Sequence, residues 1–139
     1  MLFELKDQII ITMPNADTNG GIIRNALLEL AKKRDNVYCI ESLGALGYFS
    51  ALNLCKFVLG NSSSGIIEAA SFGKYVVNIG DRQKGRESGE NVIHSAIDTK
   101  EILDAISQIE RLPVLSTKNI YGDGETADRI IEILKSKLN

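Results

Sequence analysis

The chain has 139 residues, 44% of them hydrophobic and 24% charged, the profile of one soluble globular domain of roughly 100–200 residues. Sixteen basic residues against eighteen acidic ones leave a net charge of −2, which gives no electrostatic footprint for nucleic acid or an anionic membrane. No apolar stretch approaches the roughly 20 residues that span a bilayer, and Glu4, Lys6 and Asp7 interrupt the early apolar run a signal peptide needs.

Gln8 to Met13 (QIIITM) is a β-branched run without alternation, the pattern of a strand buried on both faces. Pro14 and Asn15 end it, and 17–21 is a turn-rich loop. Ile22, Ile23, Ala26, Leu27, Leu30 and Ala31 recur at helical spacing, and Asp35-Asn36 breaks that helix. Val37–Ile40 predicts the next strand, 46–54 a helix, and 57–59 a third strand. After a polar turn, 60–65, a short helix is expected over 66–72, with Gly73 as a left-handed stop. Tyr75–Ile79 predicts a fourth strand, 80–90 a loop and 91–94 a short strand. Asp98 with Glu101 resembles a capping box before a helix reaching Ile109. A last helix is expected from Glu125 to Leu138, with a stripe of Ile130, Ile131, Leu134 and Leu138. Strands alternating with helices predict an α/β fold: a Rossmann-like three-layer α/β/α parallel sheet, as one domain over 1–139.

Cys39 and Cys55 lie far apart in apolar segments and read as free buried thiols, which suits a reducing cytoplasm. Two cysteines and the single His94 do not have metal-ligand spacing, so no metal is expected; no cofactor is expected either. His94, at the end of the short strand 91–94, reads as structural.

In parallel sheets ligands bind beyond the carboxyl ends of the strands. The loops there are 14–21, 41–44, 60–65 and 80–90. VLGNSSSGIIEAASFGK, Val58 to Lys74, runs from strand through serine turn to helix. Unpaired N–H groups and the helix dipole at such a tip attract anions. Ser62 and Ser63 add hydroxyl donors, Gly65 would let a phosphate approach the backbone, and Glu68 could accept from a ribose diol. The alternative is that the serines merely cap the helix and Glu68 stabilises its first half. There is no Walker lysine and no GxGxxG. The sequon Asn61-Ser62-Ser63 reads as chance.

GDRQKGRESGEN, Gly80 to Asn91, sets Arg82, Lys84 and Arg86 in one loop, either as diphosphate-neutralising cations or as a solvated surface. Asn15 and Asp17 could hold ligand groups or form an Asx turn. Tyr121-Gly122-Asp123-Gly124 most simply initiates the last helix.

MPNADTNG, GNSSSGIIEAASFGK, VNIGDRQKGRESGENVIH and IYGDG, in that order over about Ile9 to Leu138, resemble the C-terminal half of hydrolysing UDP-N-acetylglucosamine 2-epimerases. The resemblance implies a GT-B-like architecture of two Rossmann-like domains with the active site between them. It implies that UDP or UDP-N-acetylglucosamine is held with Ser62 and Ser63 on the phosphates, Glu68 on the ribose, Asn15 and Arg82 facing the nucleotide, and the backbone near Leu43 on the uracil. Non-hydrolysing relatives carry an Asp-Ser-Gly-Gly type turn, whereas Asn61-Ser62-Ser63-Ser64 favours the hydrolysing type. That reaction removes the sugar C2 proton as UDP leaves, then adds water to give N-acetylmannosamine. It opens routes to sialic and related acids.

The family's carboxylates and histidine lie before the segment matched, so no catalytic residue is expected here. The partner implied is the N-terminal domain. Without it, an apolar patch that self-association would cover is expected, and the last helix should fray or pack differently. The competing readings are the nucleotide-sugar half of a GT-B glycosyltransferase and a non-catalytic Rossmann-like module.

Overall fold

A computed structural model describes residues 1–14 and 20–138. The elements run β1 (Ile9–Thr12), α1 (Gly20–Lys32), β2 (Val37–Ile40), α2 (Gly44–Leu54), β3 (Phe57–Gly60), α3 (Ser63–Ile67), β4 (Tyr75–Ile79), β5 (Val92–Ser95), α4 (Thr99–Ile109) and α5 (Thr126–Leu138). The α/β class and parallel pairing are as expected. The ladders come as two sets, β1-β2 and β3-β4-β5, within two compact units, Met1–Ala51 and Leu52–Asn139.

In the first unit β1 and β2 pair in parallel, with Ile10 opposite Tyr38. α1 packs against β2. The break at Asp35-Asn36 has a structural use. Arg34 donates to the carbonyls of Leu2 and Leu5 at 2.9 and 2.6 Å, and Asn36 Nδ2 donates to Asp7 O at 2.6 Å. Together they fasten the N-terminal segment beside the strands.

One expectation fails here. β1 is not buried on both faces: its residues alternate between half-buried and exposed. Ile10 is 55% exposed and its neighbour Tyr38 50%. A run of isoleucines records what each face can be covered by, not what covers it. On α1 the same holds: Leu30 is buried, while Ile22 and Ile23 lie open.

The second unit has the stronger core. β4 is the middle strand, parallel to β3 and β5. Val76 and Val77 are both buried although they point to opposite faces. α3 lies against β3 and β4, and α4 against β4 and β5. Full burial of each such valine contributes about 1.5–3 kcal/mol. α4 turns Ile102, Ala105, Ile106 and Ile109 inward at helical spacing. Its start is fixed by Asp98, whose carboxylate accepts from Glu101 N at 3.0 Å, while the Glu101 carboxylate accepts from Ala96 N at 3.2 Å. The return bond of the expected capping box thus goes two residues further upstream than Asp98.

The predicted helix over 66–72 starts earlier and splits. α3 begins at Ser63 and gives way after Glu68 to a 3-10 turn, Ala69–Phe72. Gly73 stops it in the left-handed region, φ 60°, as expected. Both cysteines are free, but each is half-buried rather than buried. Burial pushes the Cys55 thiol up, with Lys74 opposing. Among the described residues no three His, Cys, Asp or Glu side chains could hold a metal ion, and no helix is long and apolar enough to cross a membrane.

α5 forms but buries none of its residues, and Ile130, Ile131, Leu134 and Leu138 are all exposed. Its start is held locally. Asp123 accepts from Glu125 N at 3.1 Å and takes both guanidinium branches of Arg129, at 2.8 and 2.5 Å. Arg129 hydrogen bonding, then the Glu125 N–H, lower the Asp123 carboxyl from its usual 3.8 to about 2. A carboxyl depressed in the folded state stabilises above its unfolded pKa and loses that contribution as pH falls through the folded one. Carbon chemical shifts at Thr126–Arg129 should therefore keep their helical values near pH 5 and lose them between 3.8 and about 2. In Asp123→Asn that transition should be absent.

Candidate functional site

β3 and β4 are parallel, so Gly60-Asn61 and Gly80-Asp81 leave the sheet at the same edge. At that edge the chain turns directly into α3. Ser62 is the N-cap, in extended backbone, and its hydroxyl accepts from Ser64 N at 3.4 Å. Gly65 N donates to Ser62 O at 3.2 Å. Ser62 is exposed and Ser63 half-buried. Ser64 Oγ donates to the Glu68 carboxylate. Glu68 therefore reaches back one turn toward the tip of α3 and the carboxyl edge of the sheet.

These contacts are the ones a purely structural cap would make. They also leave the tip in a form a ligand could use. The Ser62 hydroxyl accepts one bond and keeps its own proton to donate. Glu68 is anchored by one oxygen, leaving further lone pairs for a donor.

Gly65 has a different role from the one its position suggested. A Cβ there would meet Val76 Cγ1 at 2.9 Å. Its open side faces β4, not the edge where a phosphate would sit. The glycine is needed because α3 lies so close to the sheet, and that closeness fixes where the tip ends up.

The loop 80–90 stands next to this turn. Arg82, Lys84 and Arg86 are exposed. Between them Gln83 is turned inward, 5% exposed, and its Nε2 donates to Asn61 O at 2.9 Å. Farther on, the Tyr121 hydroxyl donates to Glu87 O at 2.5 Å. Asn119 Nδ2 donates to Ile67 O at 2.6 Å and Ser71 Oγ at 2.7 Å, and Asn119 Oδ1 accepts from Tyr121 N at 2.9 Å. The sequence reading assigned 121–124 to starting the last helix. Asp123 does so, while Tyr121 and its neighbour Asn119 fasten α3 and the cationic loop instead.

His94 sits beside the same edge. Asn78 Nδ2 lies 3.1 Å from His94 Nδ1, and Ser88 Oγ 3.4 Å from Nε2. Both ring nitrogens are thus met by neighbouring side chains, in keeping with a structural reading. Asn78, 2% exposed, keeps Oδ1 buried with no donor among the described residues.

The structure groups Ser62, Ser63, Glu68 and Arg82 in the second unit. Leu43 belongs to the first, half-buried on the loop between β2 and α2. Asn15 lies outside the described residues. Sequence reasoning missed Gln83, Asn119 and Tyr121. An amide set between two cations, and an Asn two residues before a Tyr in a polar segment, were the only local signs.

A family model described as UDP-N-acetylglucosamine 2-epimerase matches residues 1–135. The chain belongs to this family. It is 41% identical over 129 residues to the UDP-N,N'-diacetylbacillosamine 2-epimerase (hydrolyzing) of Legionella pneumophila, covering 93% of this chain and 34% of that protein. It is 33% identical over 137 residues to the UDP-N-acetylglucosamine 2-epimerase of Neisseria meningitidis, covering 96% of this chain and 36% of the other. The chain thus spans about a third of the length of these curated relatives. A crystal structure of a UDP-N-acetylglucosamine 2-epimerase superposes with a TM-score of 0.62 at 24% identity, over 92% of this chain and 40% of that one. That agreement bears on the fold, and accords with the expected GT-B-like relationship.

The Gly65 contact can be checked directly. Helix propensity favours Gly65→Ala by about 1 kcal/mol, yet the crowding at Val76 should reverse the sign, for a net loss of about 1–2 kcal/mol in a urea melt. In a Val76→Ala background, which removes the opposing methyl, the loss should disappear.

Proposed function

We propose that Met1–Asn139 is one nucleotide-binding domain of a hydrolysing 2-epimerase acting on a UDP-linked 2-acetamido sugar. Ser62 and Ser63 take the phosphates, Glu68 the ribose and Arg82 the diphosphate charge. Contacts from Asn15 and from the backbone near Leu43 are what the family resemblance adds to this set. The observation that carries this reading is the Glu68 carboxylate, bent back through Ser64 to the serine turn in a chain of this family. A ribose-binding acceptor and a phosphate-binding turn must lie within one nucleotide of each other, and a residue one helical turn inside the tip meets that demand.

The whole protein would convert UDP-N-acetylglucosamine and water to N-acetylmannosamine and UDP. Stabilising the departing diphosphate is this domain's share of the work. General acid and base groups for the sugar would come from the N-terminal domain, and this chain alone would bind UDP without turnover. The exposed face of α5 and the open isoleucines of α1 are surfaces such a domain, or a second copy, would cover. The reaction belongs in the cytoplasm, where nucleotide sugars are made.

A second substrate reading has its own support. The Legionella relative is named for UDP-N,N'-diacetylbacillosamine and shares 41% identity, against 33% for the Neisseria relative named for UDP-N-acetylglucosamine. Both sugars are UDP-linked, so the groups assigned above serve either. Supplying each nucleotide sugar to the complete enzyme and following the free sugar product would separate them.

Titrating UDP into the isotopically labelled chain should shift the amide resonances of Ser62, Ser63, Glu68 and Arg82 at millimolar ligand. Unmoved resonances there would overturn the nucleotide reading. Ser62→Asp offers a sharper test, because aspartate caps a helix as well as serine does. It should leave thermal stability nearly unchanged while repelling phosphate and abolishing the UDP shifts. Equal UDP affinity in that variant would mean that Ser62 is a cap and nothing more.

A further inference from the structure

We propose that Gln83 and Tyr121 are positioning residues that hold the cationic loop, and Arg82 in particular, against the serine turn, and that they thereby set preference for a nucleoside diphosphate over a monophosphate. This rests on the nucleotide reading above and adds the residues that make its charged half work.

The loop 80–90 has every reason to wander. It is rich in charge, and Gly80 and Gly85 both take positive φ, 71° and 84°. Its internal backbone bonds, Lys84 N to Asp81 O and Arg86 N to Gln83 O, close only single turns. An exposed loop of this kind would spend much of a phosphate's binding energy on being ordered. Two side-chain bonds, one in each limb, oppose that, beside the longer Ser88–His94 contact at 3.4 Å. Gln83 Nε2 donates at 2.9 Å to the carbonyl of Asn61, the residue just before the Ser62 cap. The Tyr121 hydroxyl donates at 2.5 Å to the carbonyl of Glu87.

The first bond is the more telling. Gln83 is buried between two exposed cations, and it grips the serine turn itself rather than some neutral part of the surface. Arg82 is thereby carried by backbone to the flank of the turn. The second bond arrives from a segment that is itself tied to the end of α3, through Asn119 on Ile67 O. Phosphate turn, short helix and cationic loop therefore form one closed set of contacts. Neither Gln83 nor Tyr121 needs to touch the nucleotide to influence how well it is held.

A tether that acts through Arg82 leaves a signature that simple stabilisation does not. UDP and UMP are titrated into the 139-residue chain and into Tyr121→Phe, Gln83→Ala, Arg82→Ala and the Gln83→Ala/Arg82→Ala pair. Each tether variant should weaken UDP by roughly three- to tenfold, the range for one lost hydrogen bond. UMP should weaken less, so the UDP-to-UMP affinity ratio falls. Arg82→Ala should cost less in the Gln83→Ala background than alone, because an untethered arginine contributes little.

Equal losses for UDP and UMP, or strictly additive effects of Gln83 and Arg82, would overturn the positioning role while leaving the nucleotide reading intact. Failure of the unaltered chain to bind UDP would overturn both. If Gln83→Ala does not fold, Tyr121→Phe decides through the same ratio, since it removes one hydroxyl from a side chain already partly in solvent.

Discussion

The close approach of α3 to β4 governs the candidate site. With no Cβ at Gly65, the helix settles onto Val76 at a distance an alanine could not share. The helix begins directly after β3 ends, and Ser62 caps it at the carboxyl edge of the strands. Everything polar nearby is then a matter of reach. Glu68 bends back through Ser64, and Gln83 comes across from the next loop to the carbonyl of Asn61. The apolar contact sets the place, and the polar groups take their geometry from it.

Local signals in the sequence were read well where a single element decides its own structure. β2 and β4 have the bounds their β-branched runs suggested, Asp98 caps α4, and Gly73 ends its helix with a left-handed turn. Ser62, Ser63 and Glu68 fall together because they share one turn and one helix, so spacing alone relates them. Long-range contacts were illegible for the converse reason. Gln83 meets Asn61 across 22 positions, Tyr121 meets Glu87 across 34 and Asn119 meets Ile67 across 52. No hydrophobic period links such pairs, and a glutamine within a charged loop looks the same whether it faces water or a carbonyl.

The misread face of β1 has a related cause. Residue type reports the environment a strand is suited to, and the rest of the chain decides whether that environment is supplied. Ile10, Ile22, Ile23 and the stripe of α5 are open. They are scattered over helix and strand alike, whereas the faces around β4 are closed.

One feature of the C-terminal segment gives the fold an unexpected mechanical character. Gly122 alone separates Tyr121, knotted to Glu87, from Asp123, which grips the start of α5. Gly122 and Gly124, on either side of Asp123, both take positive φ, 137° and 96°, so the outlying helix is joined to that anchor through glycine joints. The helix can therefore swing about its own root while Tyr121 stays fastened to Glu87.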